Sequence, residues 1–150
     1  MFYIAQIFGA LGWGFLLVSF WKSGSKKLLY LQLIACALFA VNYGLLGAFS
    51  GMIIVLLELI RDFLYIKVKD KMKIFYIMLP VYLLVSIFVN DGLISLFSIA
   101  ASICDSYALT RKNKEVVAIG ILTYTLWIIY DLSFESYSTV IAEIFLIISN

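Results

Sequence analysis

Three ionisable side chains, Glu58, Arg61 and Asp62, fall within five residues of LELIRDFLYIK (57–67), inside a run that otherwise reads as membrane-spanning helix. At about 100° per residue, Glu58 and Asp62 stand one turn apart and Arg61 lies within about 100° of both. A charge near a helix centre costs about 2.5–3.5 kcal/mol on insertion scales, whereas each Leu or Ile returns only about 0.3–0.6 kcal/mol. Three such charges roughly cancel the favourable contribution of the whole segment. This face must therefore turn inward, with Arg61 paired to Glu58 or Asp62. Asp62 is close enough to Lys67 to approach the interface, whereas Glu58 lies about 13 Å deep by helix rise.

Other segments carry residues that answer this face. Ser95, Ser98, Ser102, Asp105 and Ser106 form a stripe at three- and four-residue spacing. Small polar side chains in such a row let helices approach closely and hydrogen-bond. Glu143 brings a further carboxylate from the last segment. Trp13 is placed to stack on a ligand or to fill a core, and Gly9, Gly12 and Gly14 suit close helix packing. Asn42 and Tyr43, with Trp127 and Tyr130, are candidates to cap a cavity on its outer side. Four acids (Glu58, Asp62, Asp105, Glu143) against one arginine favour a cationic or zwitterionic solute, or protons, over an anion.

The same inventory excludes much chemistry. There is no histidine, so the commonest general base and metal ligand is missing. Cys36 and Cys104 lie in apolar runs and read as small core residues, neither a disulfide nor a metal site. No nucleophile–base pair is present, so we expect no enzyme, no cofactor and no metal. The lysine-rich breaks suit anionic lipid headgroups and imply no nucleic acid.

The elements that must position these residues follow from composition. Of 150 residues, 65% are apolar and only 13% charged, too few polar groups to cover a soluble domain. Apolar segments recur at about 2–21, 28–47, 50–66, 73–89, 93–109, 116–132 and 136–150, the pattern of an all-α polytopic membrane protein with seven transmembrane helices. The first has no basic residue before it, so it reads as a retained helix, not a cleaved signal. The last is short for a bilayer unless it starts near Leu132 or the chain continues beyond Asn150. Lysines and arginines gather in the first, third and fifth breaks, which predicts an N-terminus outside and a cytoplasmic C-terminus. Trp21 and Tyr30 flank the first of these and suit interface anchors.

A shift of 88 residues lays KSGSKK almost upon TRKNKE, and segments one to three upon five to seven. It also sets Glu143 over Val55, one turn from Glu58. The expected organisation is two parallel three-helix units, 1–66 and 92–150, joined by a linker helix in 67–91 that holds the only proline, Pro80. Parallel repeats with a site between them are a recurrent transporter architecture.

Two portions carry a family resemblance. NYGLLGAFSGMIIVLLELIRD is similar to the segment of YgjV-type bacterial inner-membrane proteins in which a small-residue turn precedes a helix bearing a late arginine. WIIYDLSFESYSTVIAEIFLIISN resembles that family's C-terminal segment, with its Trp-x-x-Tyr, late glutamate and closing Ser-Asn. By position, Gly47, Arg61, Glu143, Ser149 and Asn150 match the pattern. Asp62 and Val55 stand where the family has asparagine. The three-plus-one-plus-three layout also resembles SWEET and PnuC-type transporters, although the proline hinge of SWEET units is absent from SFWKS and ALTRK.

The resulting expectation is a bacterial inner-membrane carrier for a small polar solute. Its path would run between the two units, with Glu58 and Glu143 facing it, Arg61 as counter-ion to Glu58, Asp105 on the cytoplasmic side, and Asp62, Ser102, Trp13 and Asn42 contributing. The alternative is a membrane scaffold in which the buried charges serve packing alone.

Overall fold

The structure is a computed structural model that describes residues 1–20, 26–89, 91–111 and 114–149. Trp21, Lys22, Lys112 and Asn150, noted above, lie outside the described residues, as do the side chains of Lys26, Lys114 and Ser149. Among the described residues there are seven α-helices: α1 (Phe2–Phe20), α2 (Lys26–Leu46), α3 (Phe49–Lys67), α4 (Lys71–Phe88), α5 (Ser95–Ala108), α6 (Lys114–Ser133) and α7 (Tyr137–Ser149). A single 3-10 turn, Gly92–Ile94, leads into α5.

Three of the breaks, those after α2, α3 and α6, have a local cause. At the end of α2, Gly47 adopts φ +75°. The Ala48 amide then donates back to the Tyr43 carbonyl at 3.0 Å, and the Gly47 amide to Gly44 at 3.4 Å. This satisfies carbonyls that a helix end leaves orphaned. The turn after α6 has the same form. Ser136 N donates to Asp131 O at 2.9 Å and Glu135 N to Leu132 O at 3.4 Å. Glu135, at φ 57°, occupies there the left-handed position that glycine fills in the first turn. The Asp70 side chain accepts from Lys73 N at 3.1 Å and starts α4.

Six helices close into a ring. Each of α1, α2 and α3 packs on the next, α3 packs on α5, α5 on α6, α6 on α7, and α7 returns to α1. Helix α4 stands outside this ring against α3 and α5. It turns Ile74, Met78 and Tyr82 inward at four-residue spacing and leaves Tyr76, Ile77, Leu83, Leu84, Ile87 and Phe88 exposed. Pro80 lies within α4, on its exposed side.

Polarity is inverted relative to a water-soluble fold. Buried residues include Asn42, Glu58, Arg61, Asp62, Ser98, Ser102, Ser106, Asp131 and Glu143, while Ile4, Ile7, Leu11, Ile60, Phe63, Ile141 and Phe145 are exposed. Such an exterior needs an apolar solvent. Three stretches, Phe2–Ser19, Leu29–Leu46 and Glu115–Ser133, are long and apolar enough to cross a membrane, and Gly92–Ala108 and Tyr137–Ile148 are shorter apolar helices. Of the three glycines expected to permit close packing, two do so. A Cβ at Gly9 would run into Ser138 of α7, and one at Gly12 would meet the Phe39 ring at 2.8 Å; Gly14 faces open space.

Candidate functional site

Helix α3 does turn its charged face inward. Glu58 is 8% exposed, Arg61 2% and Asp62 1%, so Asp62 does not escape to an interface. The Arg61 fork meets Asp62 Oδ1 through Nη2 at 2.9 Å and through Nε at 3.0 Å. Its Nη1 reaches Asp105 Oδ2 at 2.7 Å and Ser106 Oγ at 2.9 Å. Planar, multidentate donation of this kind is what guanidinium offers and ammonium does not. Ser106 in turn donates to Tyr82 of α4 at 3.3 Å, and Tyr65 donates to the Ser106 carbonyl at 3.3 Å.

The counter-ions of Arg61 are therefore Asp62, one of the two partners expected, and Asp105; the alternative pair with Glu58 is not formed. Glu58 Oε1 instead accepts from Ser102 Oγ at 2.6 Å. The serine stripe of α5 is the surface that receives α3, because hydroxyls at positions 102 and 106 fall opposite Glu58 and Arg61. Cys36 of α2 lies against Asp62, with Sγ–Oδ2 at 4.0 Å, and both Cys36 and Cys104 are free thiols.

The opposite end of the ring, where α1, α3, α5 and α7 begin, is closed by neutral groups. Asn42 Nδ2 donates to the Ala5 carbonyl at 2.7 Å, and its Oδ1 accepts from Ser136 at 3.0 Å. The Tyr130 hydroxyl meets Ser50 Oγ at 2.8 Å and the Gly51 amide at 2.6 Å. That approach requires glycine, since a Cβ at 51 would sit 2.7 Å from the Tyr130 ring. The Tyr43 ring stacks on Trp127 at 5.8 Å between centroids, and both meet Tyr130 edge-on. The first amides of α3 and α7 are each held from across the ring: Ser50 N donates to Asp91 at 2.6 Å, and Ser138 N to Gln6 at 2.8 Å. We call this the acidic end, since Asp91, Asp131 and Glu135 sit there; the breaks after α1, α3 and α5 form the basic end.

Between the two ends lies a cavity of about 750 Å³. All six ring helices line it and α4 does not. From the acidic end its wall runs from Tyr43, Trp127 and Thr139 past Glu143 and Glu58 to Arg61, Asp62 and Asp105. It then reaches Leu109, Val116 and Val117 at the basic end. Trp13, Phe39 and Tyr124 supply much of the apolar side. Three polar atoms of lining residues have no hydrogen-bond partner: Trp13 Nε1, Gln32 Oε1 and Glu143 Oε2.

Of the residues singled out from sequence, Trp13, Glu58, Arg61, Asp62, Asp105 and Glu143 line this cavity. Ser102 and Asn42 do not. Ser102 acts from behind, holding Glu58, and Asn42 is wholly buried in the plug that ties α2 to α1 and α7. Sequence reasoning passed over Gln32, Tyr82, Tyr124, Thr139 and Asp131. Asp131 carried a legible signal, an acid inside the sixth apolar run. Tyr82 carried none, being one aromatic in a segment rich in them.

A family model for bacterial inner membrane proteins, Imp-YgjV, matches residues 3–150. The chain belongs to the Imp-YgjV family. Comparison with curated proteins and with solved structures gives no match. Membership places this Imp-YgjV protein in the bacterial inner membrane, in keeping with its apolar exterior and polar, charge-bearing interior.

Proposed function

We propose that this Imp-YgjV protein is a carrier for a small polar solute, with the path between two like-oriented three-helix units. The observation that carries the reading is the cavity itself: a volume of about 750 Å³ lined by four carboxylates, one guanidinium and several aromatic rings. Binding sites for small molecules have this form, mostly apolar with a few convergent polar groups. The acid excess favours a cationic or zwitterionic solute.

Several features support the two-unit reading. Helices α3 and α7 start 88 residues apart, at Phe49 and Tyr137. The left-handed residues Gly47 and Glu135 keep the same separation, and the same pairs of hydrogen bonds close both turns. Exchanging α1–α3 with α5–α7 maps the ring's packing order onto itself. With all seven helices crossing and the N-terminus outside, as the basic breaks predict, the plug is periplasmic and the cavity leads toward the cytoplasm. Rocking one unit against the other would alternate its exposure.

The competing scaffold reading draws on the Arg61 network, whose members satisfy one another without a ligand. The two readings separate in one experiment. Purified protein is screened by thermal shift against a panel of amines, amino acids and betaines, and hits are then tested for uptake into proteoliposomes. The carrier reading expects a stabilising hit, with uptake abolished in Glu58→Gln and Glu143→Gln variants that remain folded. Normal uptake by both variants would sink the assignment.

A further inference from the structure

The Arg61 network leaves one pair of carboxylates out. Asp131, in the last turn of α6, is wholly buried, and neither of its oxygens has a hydrogen-bond partner. Glu143, on α7, is 3% exposed, and its Oε2 is also unpartnered. The two lie within electrostatic reach of each other on adjacent helices. The hydroxyls of Tyr43 and Thr139 stand beside Asp131. Neither reaches it in hydrogen-bonding geometry, and Thr139 is turned instead to the Ser136 carbonyl at 2.5 Å and hydroxyl at 2.8 Å.

Among the described residues no lysine or arginine side chain stands at this end of the ring, where the chain's amino terminus is the one formal positive charge. Apart from Arg61, the described lysines and arginines lie in or beside the breaks at the other end. Arg61 is engaged by Asp62 and Asp105. The helix adds to the deficit, because Asp131 sits at the negative end of the α6 dipole and no basic residue occupies that last turn. Burying carboxylates without partners is among the most expensive arrangements a fold can hold.

We propose that Asp131 and Glu143 hold a monovalent metal cation, sodium, with the Tyr43 and Thr139 hydroxyls completing an all-oxygen site between α2, α6 and α7. Hard cations take carboxylate, hydroxyl and carbonyl oxygens, and helix C-terminal ends beside a break are where carriers place coupling sodium. Calcium and magnesium fit less well. They call for a fuller set of anionic ligands or retained waters, and the described residues contain no cluster of three or more acidic or thiol ligands. Glu143 also lines the solute cavity, so a cation here would touch the solute site directly. Its role as coupling ion rests on the carrier reading; its binding does not.

The test is titration of purified protein with NaCl against choline chloride at constant ionic strength, without solute, following thermal unfolding and tryptophan fluorescence. Trp127, stacked on Tyr43, is the built-in reporter. The expected result is a saturable rise in melting temperature with Na⁺, weaker with Li⁺ and absent with K⁺. Asp131→Asn should weaken Na⁺ binding about tenfold or more and Thr139→Val by less, while Glu135→Gln, an exposed acid at the same end, should leave it unchanged. A wild-type protein that responds equally to Na⁺, K⁺ and choline overturns the proposal, as does a response confined to Ca²⁺ or Mg²⁺. Full Na⁺ response in folded Asp131→Asn does so as well. Na⁺ binding with no flux of any solute would retain this site and remove the carrier; flux without Na⁺ binding would do the reverse.

Discussion

Helices α3 and α7 leave the acidic end in the same direction and each delivers a buried carboxylate to the cavity wall, yet the two sides are finished differently. On α3, every acid has company: Asp62 and Asp105 grip Arg61, and Ser102 donates to Glu58. Next to α7, both oxygens of Asp131 and Oε2 of Glu143 are buried without partners. The first arrangement is complete in the protein alone. The second is left unsatisfied in hydrogen bonding, and groups of that kind are where ligands contribute. The contrast teaches that buried charge by itself does not mark a binding site; incomplete satisfaction is the better sign.

The contrast can be broken most forcefully at Arg61. Arg61→Ala strands Asp62 beside a half-buried Asp105 and should cost about 3–5 kcal/mol, read as a large fall in the unfolding midpoint in detergent. A small effect would mean that the α3 side is not closed in the way described. Ser102→Ala removes the hydroxyl that Glu58 leans on and should cost about 1.5–3 kcal/mol. The same measurement checks it, and Ser98→Ala serves as a control that touches no carboxylate. The smallest effect concerns the two left-handed turns. Glu135→Gly should stabilise by about 0.5–1 kcal/mol, while Gly47→Ala should destabilise by about 1 kcal/mol. Opposite signs at positions 88 residues apart would sharpen the equivalence of the two turns.

Much of this was legible beforehand because the bilayer permits so few solutions. Apolar run lengths set the seven helices to within a few residues, and the cost of charge in hydrocarbon forced the α3 face inward. The serine stripe of α5 could be matched to it by spacing alone. Partner choice could not be read in the same way. Whether Arg61 meets Glu58 or Asp105 depends on how far α5 slides along α3, a tertiary quantity with no local signal. Asn42 was legible as a residue near the outer cap, but its bonds to Ala5 and Ser136 show it as a tie between helices, not part of the cavity wall. Asp131 carried a signal, an acid inside an apolar run, but its burial depends on the close turn into α7. Tyr82 was hidden among the other aromatics of its segment, and only the packing of α4 on α5 shows which of them turns inward.

That lone seventh helix makes the molecule lopsided. Helix α4 braces the seam between α3 and α5, with Tyr82 bonded to Ser106 across it, whereas the seam between α1 and α7 has no such splint. There Gly9 closes on Ser138 and the Phe2 ring meets Tyr137 edge-on at 6.2 Å, with the Gln6 side chain tied to the Glu135 carbonyl and the Ser138 amide. Parting the first seam would drag an entire helix sideways through lipid; parting the second breaks the two Gln6 hydrogen bonds, the Asn42–Ser136 bond and the Phe2–Tyr137 ring contact. Of the two seams, the second is the one that can open without moving α4.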